Sequence, residues 1–349
     1  MSKLSTILIF VLFLLAACTP AASTPSTVTN TAPSPTELQP TAAVEVTVGA
    51  VLRTFSNTYW VSIKEGIEDR ARELGIKTSV QAGAVEGDPE SQQARLETMI
   101  NEGYDCYIVA PVSTENLIPP LVTASEQGKP IVNQDVEINK EAAEAVGVKI
   151  ATHIVSDNVE AGRIAANYFN EKLGGQGKVA VIEGNPASTG SQLRVQGFVE
   201  GLDPGITIVN QVAADWDREK ALTAAESILL ADPDLNGFFS ANDTMALGVA
   251  QAVKNAGKTG QVMVIGVDGI EAALEAIGNG DLTGTVSQYP YIAGRMDLES
   301  CVAAINGVEL QPTYNSPIAL ITSENLEQAL SAFPNPFFDF KDPIADLVK

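Results

Sequence analysis

With 349 residues the chain is long enough for two lobes of ordinary domain size. Its formal net charge of −22 repels phosphate backbones and anionic lipid headgroups, which argues against nucleic-acid binding and electrostatic membrane docking. One histidine, three cysteines and no CxxC or HExxH spacing leave no metal centre and no cofactor to argue for.

Lys3 opens a leader whose apolar run, 4–17, falls short of the roughly 20 residues a bilayer-spanning helix needs. Residues 1–17 therefore read as a signal peptide. Leu15-Ala16-Ala17-Cys18 resembles the bacterial lipobox, which implies cleavage before Cys18 and lipid on its thiol. The expectation is an extracytoplasmic protein held to the membrane by that lipid alone. Residues 19–43 are nearly all Thr, Pro, Ala and Ser without apolar periodicity, so 18–44 reads as a lipidated cysteine and its disordered linker. Two cysteines then remain. Cys106 lies in an apolar run and Cys301 in a helical pattern; both read as buried small side chains, with a single bridge as the alternative.

After the linker, short β-rich runs alternate with amphipathic helical stretches. Strands are predicted over 46–54, 78–82, 106–110 and 131–133, and helices over 59–74, 89–101 and 117–127. The alternation resumes with helices over 158–172, 191–201, 218–230 and 244–255, and strands over 178–183, 206–212, 237–240, 262–267 and 284–287. This βαβα order predicts an α/β fold with parallel sheets covered on both faces, and the number of units suits two sheets better than one.

In open parallel sheets the binding crevice lies outside the carboxyl ends of the strands. The residues found there belong to one chemical class. Arg53, Asn57, Tyr59 and Trp60 follow the first strand, and Gln134 and Asp135 follow Ile131-Val132-Asn133. Asn242, Asp268 and Gln288 follow the strands ending near Ser240, Val267 and Ser287. Carboxylates and amides with aromatics between them suit a neutral polyhydroxylated ligand, whose hydroxyls donate and accept and whose C–H faces need an apolar plate. Asp and Asn at strand ends are also common turn formers and helix caps, and Asn242 before Thr244 suits a cap well. The coincidence across five strands favours a site. Residues 184–190 form a Gly/Ser/Thr loop but lack the lysine of a phosphate cradle, and His153 has no nucleophile nearby in sequence, so it reads as a packed or surface imidazole.

The chain resembles the sugar-binding proteins of ABC importers, the ribose- and galactose-binding type with the periplasmic-binding-protein-like I fold. The resemblance runs over about 47–322. It is carried by Asn57-Thr58-Tyr59-Trp60, His153-Ile154-Val155-Ser156-Asp157-Asn158-Val159, Arg194-Val195-Gln196-Gly197-Phe198, Asn242-Asp243-Thr244-Met245-Ala246-Leu247-Gly248 and Gly266-Val267-Asp268-Gly269. It implies two Rossmann-like lobes with parallel sheets joined by a three-segment hinge, crossing near Val155, Gln288 and Ala319. The first lobe is then 45–155 plus 289–318, and the second 156–288 plus 319–349. It also implies hydroxyl-binding roles for Asn57, Asp135, Arg194, Asn242, Asp268 and Gln288, and aromatic walls at Tyr59, Trp60 and Trp216.

Two positions depart from the ribose-binding pattern: Val136 stands where that pattern has arginine, and Arg53 where it has serine. Ribose is thereby put in doubt. Arg53 either supplies the missing guanidinium to the pocket or makes an inter-lobe ion pair at its rim. The expected function is a monomeric, lipid-anchored substrate-binding protein that closes on a monosaccharide or polyol and delivers it to the membrane subunits of an ABC permease. A sensory receptor for a sugar-like signal would use the same pocket, and a sugar-processing enzyme could use the paired carboxylates as acid and base. A transcription-regulator core is disfavoured by the export leader.

Overall fold

The computed structural model describes residues 46–348; the expectations for the leader, Cys18 and the linker lie outside the described residues. The nine predicted strands and seven predicted helices arise in the order expected, joined by a further strand (Thr152–Val155) and two further helices (Lys140–Ala145 and Glu271–Gly278) that the pattern does not predict: β1 (Thr47–Leu52), α1 (Thr58–Leu74), β2 (Lys77–Ala82), α2 (Pro89–Glu102), β3 (Cys106–Val109), α3 (Ile118–Glu126), β4 (Ile131–Gln134), α4 (Lys140–Ala145) and β5 (Thr152–Val155). There follow α5 (Asn158–Leu173), β6 (Gln176–Glu183), α6 (Thr189–Gly201), β7 (Gly205–Ala213), α7 (Arg218–Ala231), β8 (Gly237–Ser240), α8 (Asp243–Asn255), β9 (Met263–Asp268), α9 (Glu271–Gly278) and β10 (Gly284–Ser287). The chain closes with α10 (Pro290–Ile305), β11 (Thr313–Asn315), β12 (Ala319–Thr322) and α11 (Leu326–Ala332).

The strands form two six-stranded sheets, ordered β11-β5-β4-β3-β1-β2 and β12-β10-β9-β8-β6-β7. Every pairing is parallel except β10 with β12. The chain leaves the first sheet after Val155, returns to it after Ser287 and leaves again between Asn315 and Ala319, so two lobes share three crossings. Two crossing segments are tied together where the Ser156 and Ser316 hydroxyls lie 2.8 Å apart.

The helices start and stop where local chemistry dictates. Asn57 caps α1 by accepting the Tyr59 N–H at 3.0 Å, and Gly75, at φ 69°, ends it in the left-handed conformation that costs glycine least. Tyr59, Trp60, Ile63, Ile67 and Ala71 then fall on one buried face. That face meets α10 at very close range: a methyl group at Gly66 would lie 2.0 Å from the Tyr291 carbonyl oxygen, and one at Gly294 2.1 Å from that of Ile63.

Helix α10 is one of several elements the sequence pattern left unread, and its surroundings explain why. It packs on α1 on one side and on β3, β4 and β5 on the other, so even Asp297, Glu299 and Ser300 are buried and no polar stripe exists to reveal a period. The same packing corrects the reading of the cysteines. Both are fully buried, as expected, but they are joined: α10 lies across β3 and brings the Cα atoms of Cys106 and Cys301 to 5.7 Å, closing a disulfide over a sequence separation of 195. The last turn, Ala345–Val348, also packs against α10, with Ile344 in the core.

Candidate functional site between the lobes

The first lobe contributes the turns after β1, β2 and β4. Arg53, only 5% exposed, leaves β1 and places Nη2 2.6 Å from Glu86 Oε1 and Nη1 3.6 Å from Asp135 Oδ2. Its guanidinium lies 5.6 Å from the ring centre of Trp60, which packs edge-on to Tyr59 at 5.0 Å. Both partners of Arg53 belong to the first lobe, so the expected alternative of an inter-lobe ion pair does not form. Burial, reinforced by the Asp135 and Asp268 carboxylates, pushes the Tyr59 phenol well above its ordinary range, so it stays a neutral hydroxyl.

The second lobe contributes the turns after β6, β7, β8 and β9. Arg194 on α6 is held by four partners: Nε donates to Asn158 Oδ1 (2.8 Å), Nη1 to the Ala241 carbonyl (2.7 Å) and to Asp268 Oδ1 (3.3 Å), and Nη2 to Gln288 Oε1 (2.8 Å). Trp216 stands 5.7 Å from that guanidinium, and its Nε1 has no hydrogen-bond partner among the described residues. The indole lies so close over Gly184 that a methyl group there would meet ring atoms at 2.3 Å; the Gly/Ser/Thr loop therefore makes room for an aromatic wall instead of cradling a phosphate.

Asn57 and Asn242 both cap helices and both line the cleft, so the cap does not take them out of it. Each spends its side-chain oxygen on a helix N-terminus, Asn242 Oδ1 accepting the Met245 N–H at 2.9 Å. The amide nitrogen of each remains to donate into the cleft. Asp135, Trp216 and Asp268 all have positive φ, at 63°, 65° and 134°. Non-glycine residues adopt such angles at a cost of about 1–3 kcal/mol each, and they cluster where side-chain placement is constrained by function.

Arg53, Asn57, Tyr59, Trp60, Asp135, Arg194, Trp216, Asn242 and Asp268 all line one narrow space of about 30 Å³, so nine of the ten expected residues converge. Gln288 stands behind Arg194 instead, its Nε2 donating to Asn158 at 3.3 Å. Val136 is buried off this space, its carbonyl accepting from Asn133 Nδ2 at 2.9 Å. Glu86, Ser188 and Gly190 line the space without having been expected. Glu86 follows a strand end like the others, and that position was its available signal; the run of Gly and Pro around it reads as a plain turn.

Asp243 also went unread beside the cap Asn242. Fully buried, it accepts from Gly269 N (2.7 Å), Ile270 N (3.1 Å) and Thr285 Oγ1 (2.7 Å), and so fixes the turn that carries Asp268. Burial outweighs these bonds and pushes its carboxyl up to about 6. Burial likewise raises Asp268 well above the carboxylate range, opposed by the Arg194 guanidinium and reinforced by Asp243 and Asp135. Among the described residues no three His, Cys, Asp or Glu side chains are grouped to hold a metal, and no helix is long and apolar enough to cross a membrane.

Two lobes that each bring a carboxylate, an amide, an arginine and a tryptophan to one cleft have the build of a two-lobed solute-binding protein. Residues 48–309 match the periplasmic binding protein domain. The D-allose-binding periplasmic protein of Escherichia coli (strain K12) is 39% identical over 279 residues, covering 79% of this chain and 89% of that protein. The ribose import binding protein of Bacillus subtilis (strain 168) is 33% identical, covering 80% and 88%. A crystal structure of an ABC transporter periplasmic solute binding protein from Actinobacillus succinogenes 130z, with bound D-allose, matches with a TM-score of 0.78 and 33% identity over 81% of this chain and 99% of that one. The chain belongs to the periplasmic binding protein family, among the sugar-binding solute-binding proteins of ABC transporters. These relatives are binding proteins of transport systems, not enzymes, and the family works outside the cytoplasm.

Proposed function

We propose that this protein is the lipid-anchored, monomeric binding subunit of an ABC importer, closing two lobes around a pyranose monosaccharide of the D-allose type. The observation that carries the reading is the division of one recognition set between two lobes. Arg53, Asn57, Glu86 and Asp135 come from one and Arg194, Trp216, Asn242 and Asp268 from the other, all on one space. A space of about 30 Å³ holds two or three waters at most, so a sugar reaches it only when the lobes part. Ligand then favours the closed state because only that state satisfies hydroxyls from both sides. Hydrogen bonds to charged groups contribute about 1.5–3 kcal/mol each, so a few of them with stacking on tryptophan reach micromolar affinity or better.

Relatives that bind D-allose support a hexopyranose, and Arg53 in place of serine supports the same choice against ribose. Calorimetry over D-allose, D-ribose, other hexoses and polyols tests it, with the sugar recovered afterwards. D-allose is expected to bind tightest and to be recovered unchanged. Nanomolar ribose binding with no competing hexose overturns the assignment, and a chemically altered sugar overturns the binding-protein reading. Anchoring is tested separately: Cys18→Ser should release the protein from membranes, or leave its leader uncleaved, without changing sugar affinity.

A further inference from the structure

His153 lies on β5, two residues before that strand leaves the first sheet. The residue is 8% exposed, and Nε2 sits 2.7 Å from the backbone oxygen of Asp135. A carbonyl only accepts, so Nε2 carries the hydrogen and donates it. Around that bond the Asp135 turn is clamped by the neighbouring strand β5 and by its own strand β4. The Asp135 N–H donates to the Ile154 carbonyl at 3.0 Å, the Val136 carbonyl accepts from Asn133 Nδ2 at 2.9 Å, and the Ile138 N–H donates to Asn133 Oδ1 at 2.8 Å. The backbone within this clamp is left-handed at Asp135, with φ 63°. A left-handed aspartate carries strain comparable with what one buried hydrogen bond contributes, so it persists only where surrounding bonds over-determine it. The result is a carboxylate whose Oδ2 faces the Arg53 guanidinium at 3.6 Å in the cleft.

We infer that His153 is a positioning residue for ligand recognition, holding Asp135 in its left-handed conformation and tying that carboxylate to the strand that runs into the inter-lobe crossing. The inference rests on the proposed role of Asp135 as a sugar ligand. His153 does not touch the sugar; it acts through the peptide of Asp135. Beyond His153, β5 runs through Ile154 and Val155 to Ser156 and its contact with Ser316 between crossing segments, so the strand that holds the Asp135 turn also leads into the hinge.

The test compares His153→Phe, which keeps the ring's bulk and removes the donor, with His153→Gln, which restores an N–H. In calorimetry with D-allose and D-ribose, His153→Phe should weaken the sugar bound by the wild type about tenfold, as loss of one buried hydrogen bond implies, and His153→Gln should recover most of it. In an Asp135→Ala background His153→Phe should cause no further loss, because the two act as one unit. Amide hydrogen exchange on the sugar-free protein gives an independent readout. Exchange at Asp135 and Ile138 should quicken in His153→Phe and not in His153→Gln, with β8 in the second lobe unchanged in both. Additive losses in the Asp135→Ala background, or unaltered exchange at Asp135 in His153→Phe, would overturn the inference. If the wild type binds neither sugar, the proposed function fails while the exchange measurement still decides the role of His153.

Discussion

Arg194 and Arg53 line the same space from opposite lobes, each stacked on a tryptophan at nearly the same distance, yet they are held in opposite ways. Arg194 has all three nitrogens engaged by acceptors of its own lobe and of the adjoining crossing, so its position does not depend on a ligand. Among the described residues Arg53 meets two carboxylates, and its Nε has no hydrogen-bond partner. One half of the site is therefore built before the sugar arrives, and the other keeps hydrogen-bonding capacity in reserve. On the proposed function, recognition common to many sugars would fall to the built half, and discrimination among them to the half around Arg53, Glu86 and Asp135.

The largest expected effect follows from breaking the built half. Asp268→Ala removes a buried acceptor and leaves Arg194 Nη1 with one partner fewer, and should cost about 2–4 kcal/mol in binding every sugar the wild type binds. Folding should survive, since Asp268 lies at a cleft; circular dichroism melts beside calorimetry separate the two. Normal affinity in this variant would remove Asp268 from the site. Trp216→Ala comes next. The indole packs over Gly184 and against Arg194, so alanine should abolish most of the sugar-induced fluorescence change and weaken binding more than Trp216→Phe. Equal loss of melting temperature in both variants, with affinity unchanged, would make Trp216 a packing residue instead.

A smaller and more selective effect is expected on the other side. Glu86→Gln keeps the shape of the side chain but deletes the charge beside Arg53, so it should change the order of preference among sugars without lowering all affinities together. Arg53→Ser should go further and lose the natural ligand while moving the preference toward ribose. Uniform losses across a sugar panel in both variants would erase the proposed division between the halves.

The parts of the site that the sequence exposes are those fixed by topology. A parallel strand delivers its next residue to the crevice whatever its neighbours do, so Arg53, Asp135, Asn242 and Asp268 could be read from strand ends alone. What escaped reading depends on contacts between elements distant in sequence. Gln288 looked like another strand-end ligand, but Arg194, 94 positions away, draws its oxygen behind the cleft wall. Val136, beside Asp135 in sequence, is buried outside the space lined by Arg53 and Arg194, with its carbonyl taken by Asn133 Nδ2. The Cys106–Cys301 bond needed α10 to lie across β3, and α10 itself, buried on both sides, offers no periodic stripe. The positive φ at Asp135 and Trp216 leaves no trace in residue type, since neither is a glycine.

The lobes differ in their buried acids as well, which gives the mildest test. In the second lobe Asp243 is surrounded by three donors, whereas Glu299 of the first lobe has one cation, Arg70 Nε at 2.6 Å, and the carboxylate of Asp342 from the C-terminal segment. Arg70 is shared with Glu73, which in turn binds Arg295. Burial and Asp342 together push the Glu299 carboxyl from 4.5 up to about 7, against the pull of Arg70. A carboxyl whose folded value is raised holds its proton more tightly in the native state than in the unfolded chain. Its stabilising contribution is complete below about 4.5 and is lost as pH rises through about 7. Glu299→Gln keeps a neutral side chain at every pH, so its unfolding midpoint should fall less between pH 5 and pH 8 than that of the wild type. Sugar affinity should be unchanged, because Glu299 lies on α10 away from the cleft. Parallel pH profiles in the two proteins would show that Glu299 keeps its charge in the fold and that the pairing with Arg70 outweighs its burial.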